Sequence, residues 1–221
     1  MSIRAKDYEK ENGGIIFRNP NAPTGLFMPL DQVEEIVRAN EDVIVIVDEA
    51  YIDFGAWSAM ELTKKYDNLL VVQTFSKSRA MAGMRIGFAA GNPELIRALN
   101  NVKYSYNSYT MSLAAQELGA AALRDRDYFE ETRKKIISTR ERAKKRLREL
   151  GFSFPDSMTN FIFAEHCRAE ARPMFQAMKE AGIYVRYFDK PGLDNRLRIT
   201  IGTEEEMEQL YRFLERYLAD R

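Results

Sequence analysis

Lys77 follows an apolar run, Asn68-Leu-Leu-Val-Val-Gln73, with the hydroxyls of Thr74 and Ser76 just before it and Arg85 eight residues on, between Gly83 and Gly87. Upstream, Asp48-Glu-Ala-Tyr51 closes a second apolar run, Val43–Val47. A lysine after a strand is ordinarily a surface charge. Here its neighbours make a set: an amine that can attack a carbonyl carbon, a carboxylate, a phenol, and two hydroxyls with a guanidinium, which together suit a phosphate dianion.

One cofactor uses all of these groups, pyridoxal phosphate. Lys77 would form a Schiff base with its aldehyde. Asp48 would keep the pyridine nitrogen protonated so that the ring can accept electrons. Tyr51 would bond the ring hydroxyl, and Thr74, Ser76 and Arg85 would hold the phosphate. The ordered series Asn19-Pro-Asn-Ala-Pro-Thr-Gly25, Asp48-Glu-Ala-Tyr51, Thr74-Phe-Ser-Lys77 and Arg85 resembles the signature of the class I/II pyridoxal-phosphate aminotransferases of fold type I. Within that family the pattern is nearest to the subgroup acting on histidinol phosphate.

The resemblance implies transamination between a small-molecule amino donor and a 2-oxo acid, here L-histidinol phosphate and 2-oxoglutarate in histidine biosynthesis, by a homodimer. It carries Arg198, in Leu197-Arg-Ile-Thr-Ile-Gly-Thr203, onto the substrate-anion arginine. It carries Arg186, in Tyr184-Val-Arg-Tyr187, onto the arginine for the substrate's phosphate end. Asn160, before Phe161, is placed facing the site. The family's ring-contacting asparagine stands directly before Pro-Thr-Gly. Here that position is Ala22, so either Asn21 takes the contact or the contact is lost. The tyrosine-rich stretch Lys103–Tyr109 falls, by the same resemblance, near a dimer contact. Family members are longer at the amino end, where a glycine-containing loop binds the phosphate at a helix start and an aromatic residue stacks on the ring. The chain is therefore expected to lack one phosphate clamp and that stacking partner, with impaired activity as a consequence. Two further readings stay open: a non-catalytic or half-enzyme fragment needing a separate N-terminal segment, and an aromatic aminotransferase or amino-acid-phosphate decarboxylase on the same scaffold.

Bulk properties narrow the remaining classes. At 221 residues the chain suits one large or two modest domains. Its 33 Lys and Arg balance 33 Asp and Glu, so no net field points to nucleic acid or to a membrane. One cysteine, Cys167, and one histidine, His166, exclude an internal disulfide and give too few ligands for a His/Cys metal site. Met1–Gly14 is polar, unlike a secretory signal, and the longest apolar run is far too short to cross a bilayer. A cytoplasmic protein is expected.

The elements that must position these groups alternate. Strands are expected at Ile15–Phe17, Val43–Val47, Leu69–Gln73 and Arg85–Ala90, and helices at Leu30–Asn40, Ala59–Tyr66 and Pro93–Asn101, with Lys103–Tyr109 a loop. The continuous β-branched Val43–Val47 reads as a parallel strand covered on both faces. Helices follow at Met111–Leu123 and Arg124–Leu150, the latter's charge run reading as a solvated face. The last third reads as α+β, with strands at Asn160–Ala164, Ile183–Tyr187 and Arg196–Ile201, helices at Glu170–Ala181 and Thr203–Ala219, and a capping box between Thr203 and Glu206. The expected architecture is α/β: a mainly parallel sheet in a partial large, cofactor-binding domain, residues 1–125, and a smaller α+β domain, residues 126–221.

Overall fold

A computed structural model describes residues 3–219; the outermost residues of both expected domains lie outside that range. The chain divides into two compact units, one formed by residues 3–21 and 27–131, the other by 22–26 and 132–219.

In the first unit, β1 (Ile15–Arg18), β2 (Val45–Asp48), β3 (Leu69–Thr74) and β4 (Gly87–Gly91) form a sheet in that order. β1–β2 and β2–β3 are parallel, while β4 runs antiparallel to β3, with Thr74 opposite Gly87. The sheet is thus mixed and mostly parallel. Residues 75–86, between β3 and β4, hold only a short 3-10 turn, Ala82–Met84, and no crossover helix of the kind that joins parallel strands. Helix α1 (Leu30–Arg38) lays Val33, Ile36 and Val37, all fully buried, on Val45, Val47, Leu69 and Val71. Residues three and four apart share a helix face, and alternate residues share a sheet face. Each large side chain so buried contributes about 1.5–3 kcal/mol. The opposite face of the sheet departs from the expected two-sided cover, with Ile16 and Ile44 exposed on it; Phe88, paired with Gln73 on the α1 face, is exposed at the β4 edge.

Helices α2 (Pro93–Tyr106) and α3 (Leu113–Arg124) complete this unit. α2 runs farther than expected. Lys103–Tyr106 is helical rather than loop, because no Gly or Pro interrupts it before Asn107. The expected helix over Ala59–Tyr66 is a 3-10 stretch, Ala59–Lys64, capped by the Ser58 hydroxyl on the Met60 N–H.

Helix α4 (Arg126–Glu149) contains the division between the units. In the second unit, β5 (Phe152–Ser153), β6 (Phe161–His166), β8 (Leu197–Thr200) and β7 (Arg186–Tyr187) lie in that order, all pairs antiparallel. Ile162, Ala164, Leu197 and Ile199 pack against Ala143 and Leu147 of α4, Met174 and Met178 of α5 (Ala171–Glu180), and Met207, Leu210 and Leu214 of α6 (Glu204–Ala219). α6 starts with the expected reciprocal cap: the Thr203 N–H donates to Glu206 Oε2 at 2.7 Å, and the Glu206 N–H to Thr203 Oγ1 at 3.3 Å. The charge run of α4 is not wholly a solvated face. Arg140 and Lys144, one turn apart, are buried. Arg140 donates to the Thr159 carbonyl at 3.0 Å and Lys144 to Asp156 at 2.6 Å. Their stems fill space beside Ala143 and Leu147 while their charges find partners.

Candidate active site

Parallel pairing puts the carboxyl ends of β2 and β3 side by side, the place where open α/β sheets bind ligands. Asp48 is the last residue of β2 and Thr74 the last of β3. Asp48, Thr74, Ser76, Lys77 and Arg85 line one cavity of about 370 Å³, together with Gln73. Five residues expected from the sequence to act together therefore share a hollow within a single unit.

Each is held by local geometry. Asp48 Oδ1 accepts the Ala50 N–H at 3.0 Å, leaving Oδ2 directed toward Arg18 Nε at 3.6 Å across the β1–β2 register. Thr74 Oγ1 lies 2.9 Å from Ser76 Oγ and 3.1 Å from the Ile86 carbonyl, and accepts the Ser76 N–H at 3.1 Å. That turn closes the loop just before the lysine. Arg85 adopts a left-handed conformation, φ 56°, and its Nη1 donates to the Ala82 carbonyl at 2.8 Å. Buried Phe75, Ile86 and Ala115 form the apolar floor of this loop, with Gly119 giving Ile86 room.

Lys77 Nζ lies 5.5 Å from the centroid of the Tyr51 ring. Such a placement stabilises the ammonium through the ring's negative face. Tyr51 is buried and is not one of the residues lining the cavity. Asn21 is half-buried and is likewise not among them. Asn19 of the same loop is fully buried; its Nδ2 donates to the Met28 carbonyl at 2.9 Å and its Oδ1 accepts the Met28 N–H at 2.8 Å. That asparagine closes the loop.

Several groups around the cavity carried no distinguishing signal in the sequence. Glu49 is buried behind Asp48. It accepts from the Ser58 hydroxyl and the Ala59 N–H, each at 2.6 Å, and from Gln73 Nε2 at 2.8 Å. Burial raises its pKa above the ordinary carboxylate value, and these three donors partly offset the rise. Asp53 accepts from the Ser78 hydroxyl. Arg79 donates to the Ala122 carbonyl at 2.7 Å and stacks on Phe129 at 4.1 Å. Strand alternation separates Glu49 from Asp48, but only the chain's path brings Ser58 and Gln73 to it.

In the second unit, Arg186 and Arg198 are register partners in β7 and β8. The Arg198 guanidinium lies 5.0 Å from the Phe161 ring centroid and 5.7 Å from that of Phe188, and the Arg186 guanidinium lies 5.6 Å from Phe188. Arg198 Nε is buried without a hydrogen-bond partner. Asn160 precedes β6, its carbonyl accepting the Ile201 N–H at 2.9 Å. His166 is structural: Nδ1 accepts the Ala169 N–H at 2.9 Å while Nε2 lies 3.0 Å from the Leu150 carbonyl.

The profile of the aminotransferase class I and II family matches residues 3–214. The chain is 54% identical, over 94% of its length, to a histidinol-phosphate aminotransferase of Brachyspira hyodysenteriae. It is 48% identical, over its whole length, to one of Lactococcus lactis subsp. cremoris. It spans 59% and 62% of those two relatives. Among solved structures, the histidinol-phosphate aminotransferase of Sinorhizobium meliloti in complex with pyridoxal-5'-phosphate superposes with a TM-score of 0.83 at 28% identity, covering 94% of this chain and 58% of that one.

Proposed function

This chain belongs to the class I and II aminotransferases, and from that premise we propose that it binds pyridoxal phosphate and serves the transamination of L-histidinol phosphate with 2-oxoglutarate. The observation that carries this reading is the shared cavity of Asp48, Thr74, Ser76, Lys77 and Arg85. Its residues fit the group: an amine, a carboxylate, and a hydroxyl pair with a guanidinium face one hollow. The names of the relatives support the substrate.

Pyridoxal phosphate, when bound, supplies an electron sink for charge developing at the amino donor's α-carbon. Lys77 Nζ supplies the amine that holds the aldehyde carbon. As a free amine, Lys77 Nζ would take the proton from the donor's Cα as general base and deliver it to the cofactor's former aldehyde carbon as general acid. Asp48 keeps the ring nitrogen protonated. Its Oδ1 is already oriented by the Ala50 N–H, so little ordering is left to be done at binding. Thr74, Ser76 and Arg85 hold the phosphate. The contact with the ring oxygen is assigned to Tyr51. Arg198 and Arg186 receive the anionic ends of the substrate, and the unpartnered Arg198 Nε supports that role. Asn160 is assigned to the same substrate-binding role. A homodimer is part of the proposal.

The test is an absorbance titration with pyridoxal phosphate. A new visible band is expected that Lys77→Ala abolishes, together with a borohydride-stable mass increase on the Lys77 peptide. Absence of both in the wild-type chain overturns the reading. Turnover of histidinol phosphate against phenylalanine then tests the substrate.

One observation favours a second reading, a half-enzyme completed by a separate polypeptide. Ile16 and Phe88 are exposed on β1 and β4, and α2 buries none of its residues, whereas parallel sheets are ordinarily covered on both faces. Activity that arises only on mixing with a polypeptide supplying the relatives' remaining length distinguishes it.

A further inference from the structure

The amine and the phenol of the site are joined by a link outside the cavity. Tyr51 leads into a 3-10 turn, Ile52–Phe54, in which Ile52 and Phe54 are buried. Asp53, between them, turns the other way and accepts from the hydroxyl of Ser78. Ser78 is buried although the adjoining Lys77 is exposed. One hydrogen bond thus couples residues 25 apart in sequence, two positions beyond the phenol and one beyond the amine.

The turn carrying Ser78 needs such support. Ala80 stands at φ 53°, a left-handed conformation unfavourable for any residue with a Cβ, at a cost of about 1–3 kcal/mol. It persists only where the surroundings over-determine the backbone. Here the supports come from both sides: Asp53 on Ser78, and Arg79 on the Ala122 carbonyl at 2.7 Å. The Ala80 N–H bonds the Lys77 carbonyl at 3.1 Å, so the turn's shape is transmitted directly to the lysine backbone.

We propose that Asp53 is a positioning residue that, through Ser78, fixes the Lys77 amine over the Tyr51 ring. The proposal rests on Lys77 being the cofactor-binding amine, but its first readout requires no cofactor. Reductive ¹³C-dimethylation places a reporter on Lys77, assigned by Lys77→Arg. The Tyr51 ring, 5.5 Å from Nζ, should displace its resonance upfield. Asp53→Ala and Ser78→Ala should each abolish that displacement and slow capture of added pyridoxal phosphate roughly tenfold or more. The double variant should be no worse than either single one, since both remove the same link. Asp53→Asn keeps an acceptor for the Ser78 hydroxyl and should restore both signals. An unshifted Lys77 resonance in Asp53→Ala and Ser78→Ala, with only the unfolding midpoint lowered, overturns the proposal, as do additive losses in the double variant. If the wild-type chain captures no pyridoxal phosphate while the Lys77 resonance still follows Asp53, the positioning role stands and the cofactor reading fails.

Discussion

Arg186 and Arg198 stand directly opposite each other in neighbouring antiparallel strands, so two like charges share one face of the β7–β8 ladder. Such a pair is destabilising unless something anionic lies between or beside its members. Phe161 and Phe188 beneath the guanidiniums relieve part of the cost. Inorganic phosphate should therefore raise the unfolding midpoint of the wild type above that in sodium chloride of equal ionic strength. Arg198→Ala should remove most of that gain. An equal gain in the variant would dissociate the pair from anion binding.

The carboxylate of Asp48 is the only acidic side chain lining the cavity, among the described residues. In the proposed role, replacing it with Asn would remove a charge-assisted bond to the cofactor's ring nitrogen, a loss of about 1.5–3 kcal/mol, or roughly ten- to a hundredfold in affinity. Asp48→Asn should weaken pyridoxal phosphate in an absorbance titration by that factor. Stability should change little, because the pair with Arg18 is part-exposed and 3.6 Å long. Unchanged affinity would remove Asp48 from the site.

Gly25 combines a left-handed φ of 78° with a close approach: an added Cβ would lie 2.5 Å from Ser157 Oγ and 3.2 Å from Ser157 Cα. The second contact is to backbone, which yields little. The Gly25 carbonyl also accepts the Met158 N–H at 2.9 Å, fixing the loop on that turn. Gly25→Ala should cost roughly 1–3 kcal/mol from the backbone alone, measured as a lower urea midpoint. A midpoint within error of wild type would show that the turn relaxes.

Glu49 supplies a pH dependence with a defined sign. Burial holds its folded-state pKa above the unfolded value of 4.5, so the folded protein binds this proton more tightly than the unfolded chain does. Its contribution to stability is complete below pH 4.5 and is lost as pH rises through the raised value. The stability difference between wild type and Glu49→Gln should therefore fall with rising pH over that window in urea titrations. A difference that grows with pH would mean the donors from Ser58, Ala59 and Gln73 outweigh burial.

The residue types of Lys77, Asp48, Thr74, Ser76 and Arg85 were legible as a chemical set because each lies at or near a strand end that the apolar pattern also marks. Alternation and three-to-four spacing located β2, β3 and α1 within a few residues, since burying an apolar face is a local property of the pattern. The antiparallel return of β4 and the helical Lys103–Tyr106 were not legible. A four- or five-residue apolar run carries no direction, and tyrosines suit a helix face as readily as a loop.

The amino-acid sequence by itself determined which groups are available and in what order: the amine, its carboxylate, the hydroxyls and the arginines. Only the tertiary structure decided which polar groups stand behind them. Glu49 meets Gln73, Asp53 meets Ser78, and Arg198 faces Arg186 across separations at which the chain's path, and not its local pattern, chooses the partner. Long-range pairing is set by how strands and turns pack, and a linear pattern of side chains does not encode that distance.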